Sequence, residues 1–346
     1  MAVPGNHTAI STRELLDSNT LARGLAILAV IGCHIPFAHP YWKPLWVFAS
    51  AGKLAVAVFL FSSGLLLQVS LNRAGGRLQI GSWLKRRFWR IYPVYWLGLA
   101  FTLLCAWLWR GRTFDRVTIL ANATGIPMWL HQKVISCGYT APFWFISLLL
   151  LCYGLFLLFH RVRRKGWLLA GSLALSFGAL CTGGIMEAAV LAFPAFFAGV
   201  VMADRLQQRG AATSDARIQA AVFLPLLGFL IFVFKGRNFF HLRAGFSTGL
   251  DMAACAGFAV IPWSALHLVA YLQKRLAQVA PAVLRGLLWV SGLTFALFCI
   301  HEPLLVILDK ASAAGHPWSG LLAYGAVTLL AGWALDALDR KIRGAE

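Results

Sequence analysis

The stretch PFWFISLLLLCYGLFLLFH at residues 142–160 carries no Asp, Glu, Lys or Arg and is followed at once by RVRRK at 161–165. A helix of that length rises about 28 Å, close to the roughly 30 Å of hydrocarbon in a bilayer. A basic block directly after such a run marks the cytoplasmic side of a span. The rest of the chain has the same character. Of its 346 residues, 60% are hydrophobic and 12% charged, where a soluble domain is nearer a quarter charged. Too few polar side chains remain to cover a water-facing globule, so the expected fold is all-α, a polytopic membrane helical bundle in a single domain over residues 1–346.

Working outward from 142–160, hydropathy gives about ten spans: 20–38, 47–71, 88–109, 142–160, 166–182, 186–203, 217–234, 246–272, 287–308 and 318–336. The stretch 117–135 is also apolar, but it is short and broken by Asn122, Gly125 and Pro127, so it reads as a re-entrant or interfacial segment. With the N-terminus inside, the cytoplasmic loops receive Arg73 to Arg87, Arg161 to Lys165, Arg205 to Arg217, Lys274 to Arg285 and Arg340 to Arg343. The opposite side receives Lys43, Arg110 to Lys133, Lys235 to Arg243 and Lys310. The bias is about twofold toward the inside and places both termini in the cytoplasm. No apolar run precedes a small-residue cleavage site, so no cleavable signal peptide is expected. The formal charge of +19 is spread over several short loops instead of one stripe, which argues against nucleic acid as a partner. The seven cysteines form no C-x-x-C pair and are read as small buried hydrophobes, with no metal site and no disulfide frame.

Ionisable residues within spans are costly, and each is a functional candidate. The first span reads LARGLAILAVIGCHI, with Arg23 and His34 eleven residues apart. At about 100° per residue that is three turns and roughly 20°, so both lie on one stripe, about 16 Å apart along the axis. Imidazole takes and returns a proton near neutral pH. A snorkelling arginine and a histidine satisfying a carbonyl would leave the same pattern. The third span opens KRRFWRIYPVYW, with Arg87 and Arg90 three apart and Arg90 expected to be partly buried. The guanidinium fork suits phosphate or carboxylate. The ninth reads SGLTFALFCIHEPLL, where His301 and Glu302 need partners and Pro303 frees a backbone carbonyl. Asp251 and Glu187 receive no role.

Several of these stretches resemble the acyltransferase family 3 membrane proteins. RGLAILAVIGCH at 23–34 is similar to the family's first helix, with an arginine, ten residues and a histidine. GKLAVAVFLFSSGLLL at 52–67, KRRFWRIYPVYW at 85–96, WFIS at 144–147 and FALFCIHEPL at 295–304 follow in the family's order. One departure stands out. Many members follow Trp-Phe-Leu-Ser with an acidic stretch, and here Leu148 to Leu151 replace it.

The resemblance implies transfer of an acyl group, usually acetyl from acetyl-CoA, to a hydroxyl of a carbohydrate or similar acceptor. It also implies a place in the bacterial cytoplasmic (inner) membrane. No tightly bound cofactor is expected, and acyl-CoA is the donor substrate. His34 is then the general base, and Arg23 orients the donor or steadies developing negative charge. Arg87 and Arg90 hold acyl-CoA at the cytoplasmic mouth, and His301 lines the acceptor side. A secondary transporter or flippase for an anionic or sugar-linked solute would also use intramembrane Arg and His, but the chain shows no paired Gly/Pro-broken helices in matching halves.

Overall fold

A computed structural model of the chain describes residues 9–111, 113–130, 141–182, 186–209, 214–239 and 244–344. Cys137 and the basic residues Arg112, Lys133 and Arg243 lie outside the described residues. Helices dominate: α1 (Thr12–Ala38), α2 (Ala49–Arg73), α3 (Ile80–Arg110), α4 (Arg116–Thr124), α5 (Pro127–Leu130), α6 (Trp144–Phe159), α7 (Gly166–Thr182), α8 (Glu187–Arg209), α9 (Ala216–Phe239), α10 (Ala244–Val279), α11 (Pro281–Gly292), α12 (Thr294–Ala313) and α13 (Pro317–Arg343). A 3₁₀ turn covers Pro40–Phe48. Two short strands, Ala9–Ile10 and Ser214–Asp215, pair antiparallel.

The fold is an all-α polytopic membrane bundle. By length and composition, seven of the described helices can cross a membrane, or eight if the broken pair α11 and α12 makes one span. The expectation of about ten is therefore not reached by this measure. The windows 142–160 and 166–182 are occupied by helices of 16 and 17 residues, which rise only about 24–26 Å. The segment 117–135 holds only the short α4 and α5 over its described part, too short to span. Large apolar side chains point outward, among them Ile218, Leu224 and Phe232 on α9 and Leu322, Leu330 and Trp333 on α13. Lipid is the solvent in which such faces are stable.

The chain divides into two compact units whose segments alternate along the sequence. The first is Met1–Ala26, Lys53–Arg77 and Arg161–Gly292. Its N-terminal helix begins with a reciprocal cap, Ser11 N–H donating to Glu14 Oε2 at 2.8 Å and Glu14 N–H to Ser11 Oγ at 3.3 Å. Its centre is a close approach of α2 and α8. A Cβ at Gly64 would overlap the Phe196 carbonyl, and one at Gly199 would overlap the Phe61 carbonyl. Two helices meet backbone to backbone here because both contact positions lack a side chain. Ser176 Oγ donates to the Val190 carbonyl at 2.8 Å and ties α7 to α8. Glu187, left without a role by the sequence, pairs with Lys53 at 2.7 Å. Asp251 is buried.

The second unit is Ile27–Gly52, Leu78–His160 and Leu293–Glu346. Here α3 closes the end of α4. Three donors on one face, Tyr92 Oη, Tyr95 Oη and Trp96 Nε1, give hydrogen bonds to the carbonyls of Thr124, Asn122 and Ala123. These are carbonyls of the last helical turn, which lack regular intrahelical partners; that of Asn122 also accepts from the Gly125 N–H at 3.0 Å. Ser147, from the WFIS stretch, donates to the Gly125 carbonyl at 2.9 Å, and Gly125 sits at φ 76°. That serine is therefore a structural pin. Tyr95→Phe removes one of the two donors to the buried Asn122 carbonyl, leaving the Gly125 N–H, and should cost about 0.5–1.5 kcal/mol, read as a lower thermal midpoint of the purified protein. An unchanged midpoint would show that the Gly125 N–H satisfies this carbonyl by itself.

Cys33, Cys105, Cys152, Cys255 and Cys299 are buried and free, as the sequence implied, but Cys181 is exposed.

Candidate functional site

The site lies in the second unit, where the C-terminal part of α1 meets α12. Pro303 prepares the ground. It has no N–H to give to the carbonyl four residues back, and that carbonyl, of Cys299, accepts from Thr102 Oγ1 at 3.5 Å. A Cβ at Gly98 would overlap the Cys299 side chain, so α3 and α12 lie close along this stretch. Gly52 likewise has no side chain to collide with Cys33, the residue before His34.

His34 and His301, 267 positions apart, come together with their rings parallel. The centroids are 4.9 Å apart and the planes 3° from parallel. His34 Nδ1 lies 2.8 Å from His301 Nε2 and 2.9 Å from Glu302 Oε2. Adjacent residues on a helix diverge by about 100°, so His301 and Glu302 flank the ring opposite. His301 is fully buried. Its Nδ1 lies 2.9 Å from the Phe298 carbonyl and 3.2 Å from that of Leu297. Tyr324 Oη donates to the His301 carbonyl at 3.3 Å. The expectation that His301 lines an acceptor space meets a side chain with no exposed surface and with both ring nitrogens engaged.

One donor atom from each of His34, His301 and Glu302 falls within 4.8 Å of the others. Two nitrogens on one tetrahedral metal at 2.0–2.1 Å would stand about 3.3 Å apart. The observed 2.8 Å is a hydrogen-bond spacing.

The arginines are placed differently. Arg87 is half-buried, its Cζ 5.6 Å from the Trp83 ring centre and 5.5 Å from that of Tyr153. The two rings are themselves 5.8 Å apart and nearly perpendicular, so the guanidinium packs beside both and is steadied by cation–π attraction. Arg90 is exposed, which corrects the expectation of partial burial. Three residues along a helix amount to about 300°, and that 60° difference carries Arg90 off the side packed against Tyr153. Arg23 lies in the first unit, half-buried. Glu302 was missed as part of the site, since nothing in a sequence tells which distant residue faces it.

A family model described as an acyltransferase domain matches residues 17–337. The chain is thus a membrane acyltransferase by class, and it belongs to acyltransferase family 3. Comparison with curated proteins and with solved structures gave no match.

Proposed function

We propose that this chain is a multi-pass O-acyltransferase of the bacterial inner membrane, with both termini cytoplasmic. It moves an acyl group, acetyl in the simplest case, from acyl-CoA to a hydroxyl of a carbohydrate or similar acceptor. The observation that carries the reading is the meeting of His34 with His301 and Glu302, in a chain matched by the family almost from end to end.

In the proposed reaction, His34 takes the proton of the acceptor hydroxyl as its oxygen bonds to the thioester carbonyl carbon. The carbon–sulfur bond then breaks, and the CoA thiolate leaves with the proton that His34 returns. Products are the ester and CoA, with the imidazole neutral again. Arg87 and Arg90 hold the phosphates of the donor, Arg87 steadied by its neighbours Trp83 and Tyr153. Arg23 is assigned to the donor by its place in the motif alone. His301 moves from acceptor contact to support of His34.

Mass spectrometry of envelope glycans from cells with and without the chain tests the reading. A mass increment of one acyl group on a hydroxyl-bearing component is expected only where the chain is present, and identical glycans would contradict it. Arg87→Ala should raise the KM for acetyl-CoA about tenfold to a hundredfold, the loss of one or two charge-assisted hydrogen bonds. Arg87→Lys should recover little, because an ammonium lacks the guanidinium's planar fork of N–H donors. Arg90→Ala, on an exposed residue, should have the smaller effect. An unchanged KM in both would remove α3 from donor binding.

A further inference from the structure

We infer that Glu302 is the positioning residue of His34, facing the nitrogen that His301 keeps protonated and countering the charge the ring acquires. The inference rests on the acyl-transfer reading above and adds a residue the motif likeness does not supply, since Leu148 to Leu151 stand where many members carry an acidic stretch.

The hydrogen-bond network fixes the tautomers in sequence. His301 Nδ1 faces two carbonyl oxygens, which can only accept, so Nδ1 bears the proton. His301 Nε2 is then a bare lone pair while that ring is neutral. His34 Nδ1 lies 2.8 Å from this lone pair, and one of the two must donate. The donor is therefore His34 Nδ1–H. The neutral His34 ring keeps its own lone pair on Nε2, on the side away from His301 and Glu302. Nε2 is the atom that takes the acceptor's proton.

Glu302 completes the arrangement. Among the described residues its Oε2 is buried without a hydrogen-bond partner, and it lies 2.9 Å from His34 Nδ1. A carboxylate oxygen closed away from water without a donor is costly. The cost falls when the neighbouring ring becomes a cation. While His34 is neutral, its single N–H is given to His301, and Glu302 Oε2 receives none. When Nε2 takes a proton, the positive ring faces a carboxylate that nothing else has neutralised. Attraction that grows as charge develops speeds the chemical step instead of tightening binding. A carboxylate on Nδ1 of a basic histidine has this role in the serine hydrolases too.

The test uses the full-length chain in lipid nanodiscs, with [14C]acetyl-CoA as donor and octyl glucoside as the hydroxyl-bearing probe. Glu302→Gln keeps the shape and removes the charge. It should lower kcat about 10²- to 10⁴-fold and leave the acetyl-CoA KM within about twofold. Glu302→Asp should recover part of the loss. Histidine-labelled 15N spectra of the same samples report the tautomer without needing turnover: His34 protonated on Nδ1 in the wild type and, since His301 Nε2 still accepts that proton, in Glu302→Gln as well. Loss of transfer in His34→Ala with full kcat in Glu302→Gln would overturn the role of Glu302 and leave the function standing. A wild type that transfers no label, yet shows the expected 15N tautomers, would overturn the function and keep the pair. Turnover lost to a chelator and restored by zinc alone would assign the three side chains to a metal and overturn the inference.

Discussion

Gly199→Val should remove most of the folded protein from the membrane, and Gly64→Val should do the same. Each residue touches backbone of the partner helix, Gly64 at the Phe196 carbonyl and Gly199 at the Phe61 carbonyl and the Leu65 amide. A side chain there cannot be accommodated by a rotamer change, because the atoms in the way belong to the main chain. The helices must separate, and the burial around them, with Phe61, Leu65, Phe196 and Val200 almost wholly enclosed, is lost. Overpacking of a core costs about 1–3 kcal/mol where neighbours can shift, and here they cannot, so the upper end or more is expected. Fluorescence-detected size exclusion of tagged protein checks it. Gly154→Val, at a position where a Cβ would meet nothing, is the control and should leave the monodisperse peak in place.

His34→Ala should lower acyl transfer by about 10²- to 10⁴-fold, the contribution typical of a positioned general base. The fold should survive. His34 is half-buried, and its described partners, His301 and Glu302, sit on one helix that is held independently by Thr102, Tyr324 and the packing of α13. Loss of activity together with a normal size-exclusion profile and an unchanged acetyl-CoA KM is the expected combination. His34→Gln, which keeps a polar side chain, should be equally inactive. Undiminished CoA release by His34→Ala would remove this residue from the chemistry.

Much of this was legible in the sequence, for physical reasons that differ from residue to residue. The uncharged run at 142–160 and its RVRRK flank announce lipid as solvent, because hydrocarbon rejects charge whatever the tertiary structure. Span number was less secure. Hydropathy sees apolar stretches, and it cannot tell a full crossing from a helix such as Trp144–Phe159 whose described length is shorter than the bilayer. His34, His301 and Glu302 each stood out as costly within a span, yet their meeting could not be read from chain positions. Pro303 was visible as a freed carbonyl, and only the structure shows Thr102 as its partner. Arg90 seemed the deeper arginine by chain position. The aromatic cradle of Trp83 and Tyr153 singles out Arg87 instead, and Tyr153 is supplied by a helix more than sixty residues further on.

A double-mutant cycle on kcat between His34→Ala and Glu302→Gln addresses the site most directly. Residues that act as one unit are strongly non-additive. If the carboxylate works only through the imidazole, the double variant will be no slower than His34→Ala alone. Losses that multiply across the two substitutions would mean that each residue acts separately, and the proton-handling pair described here would not exist.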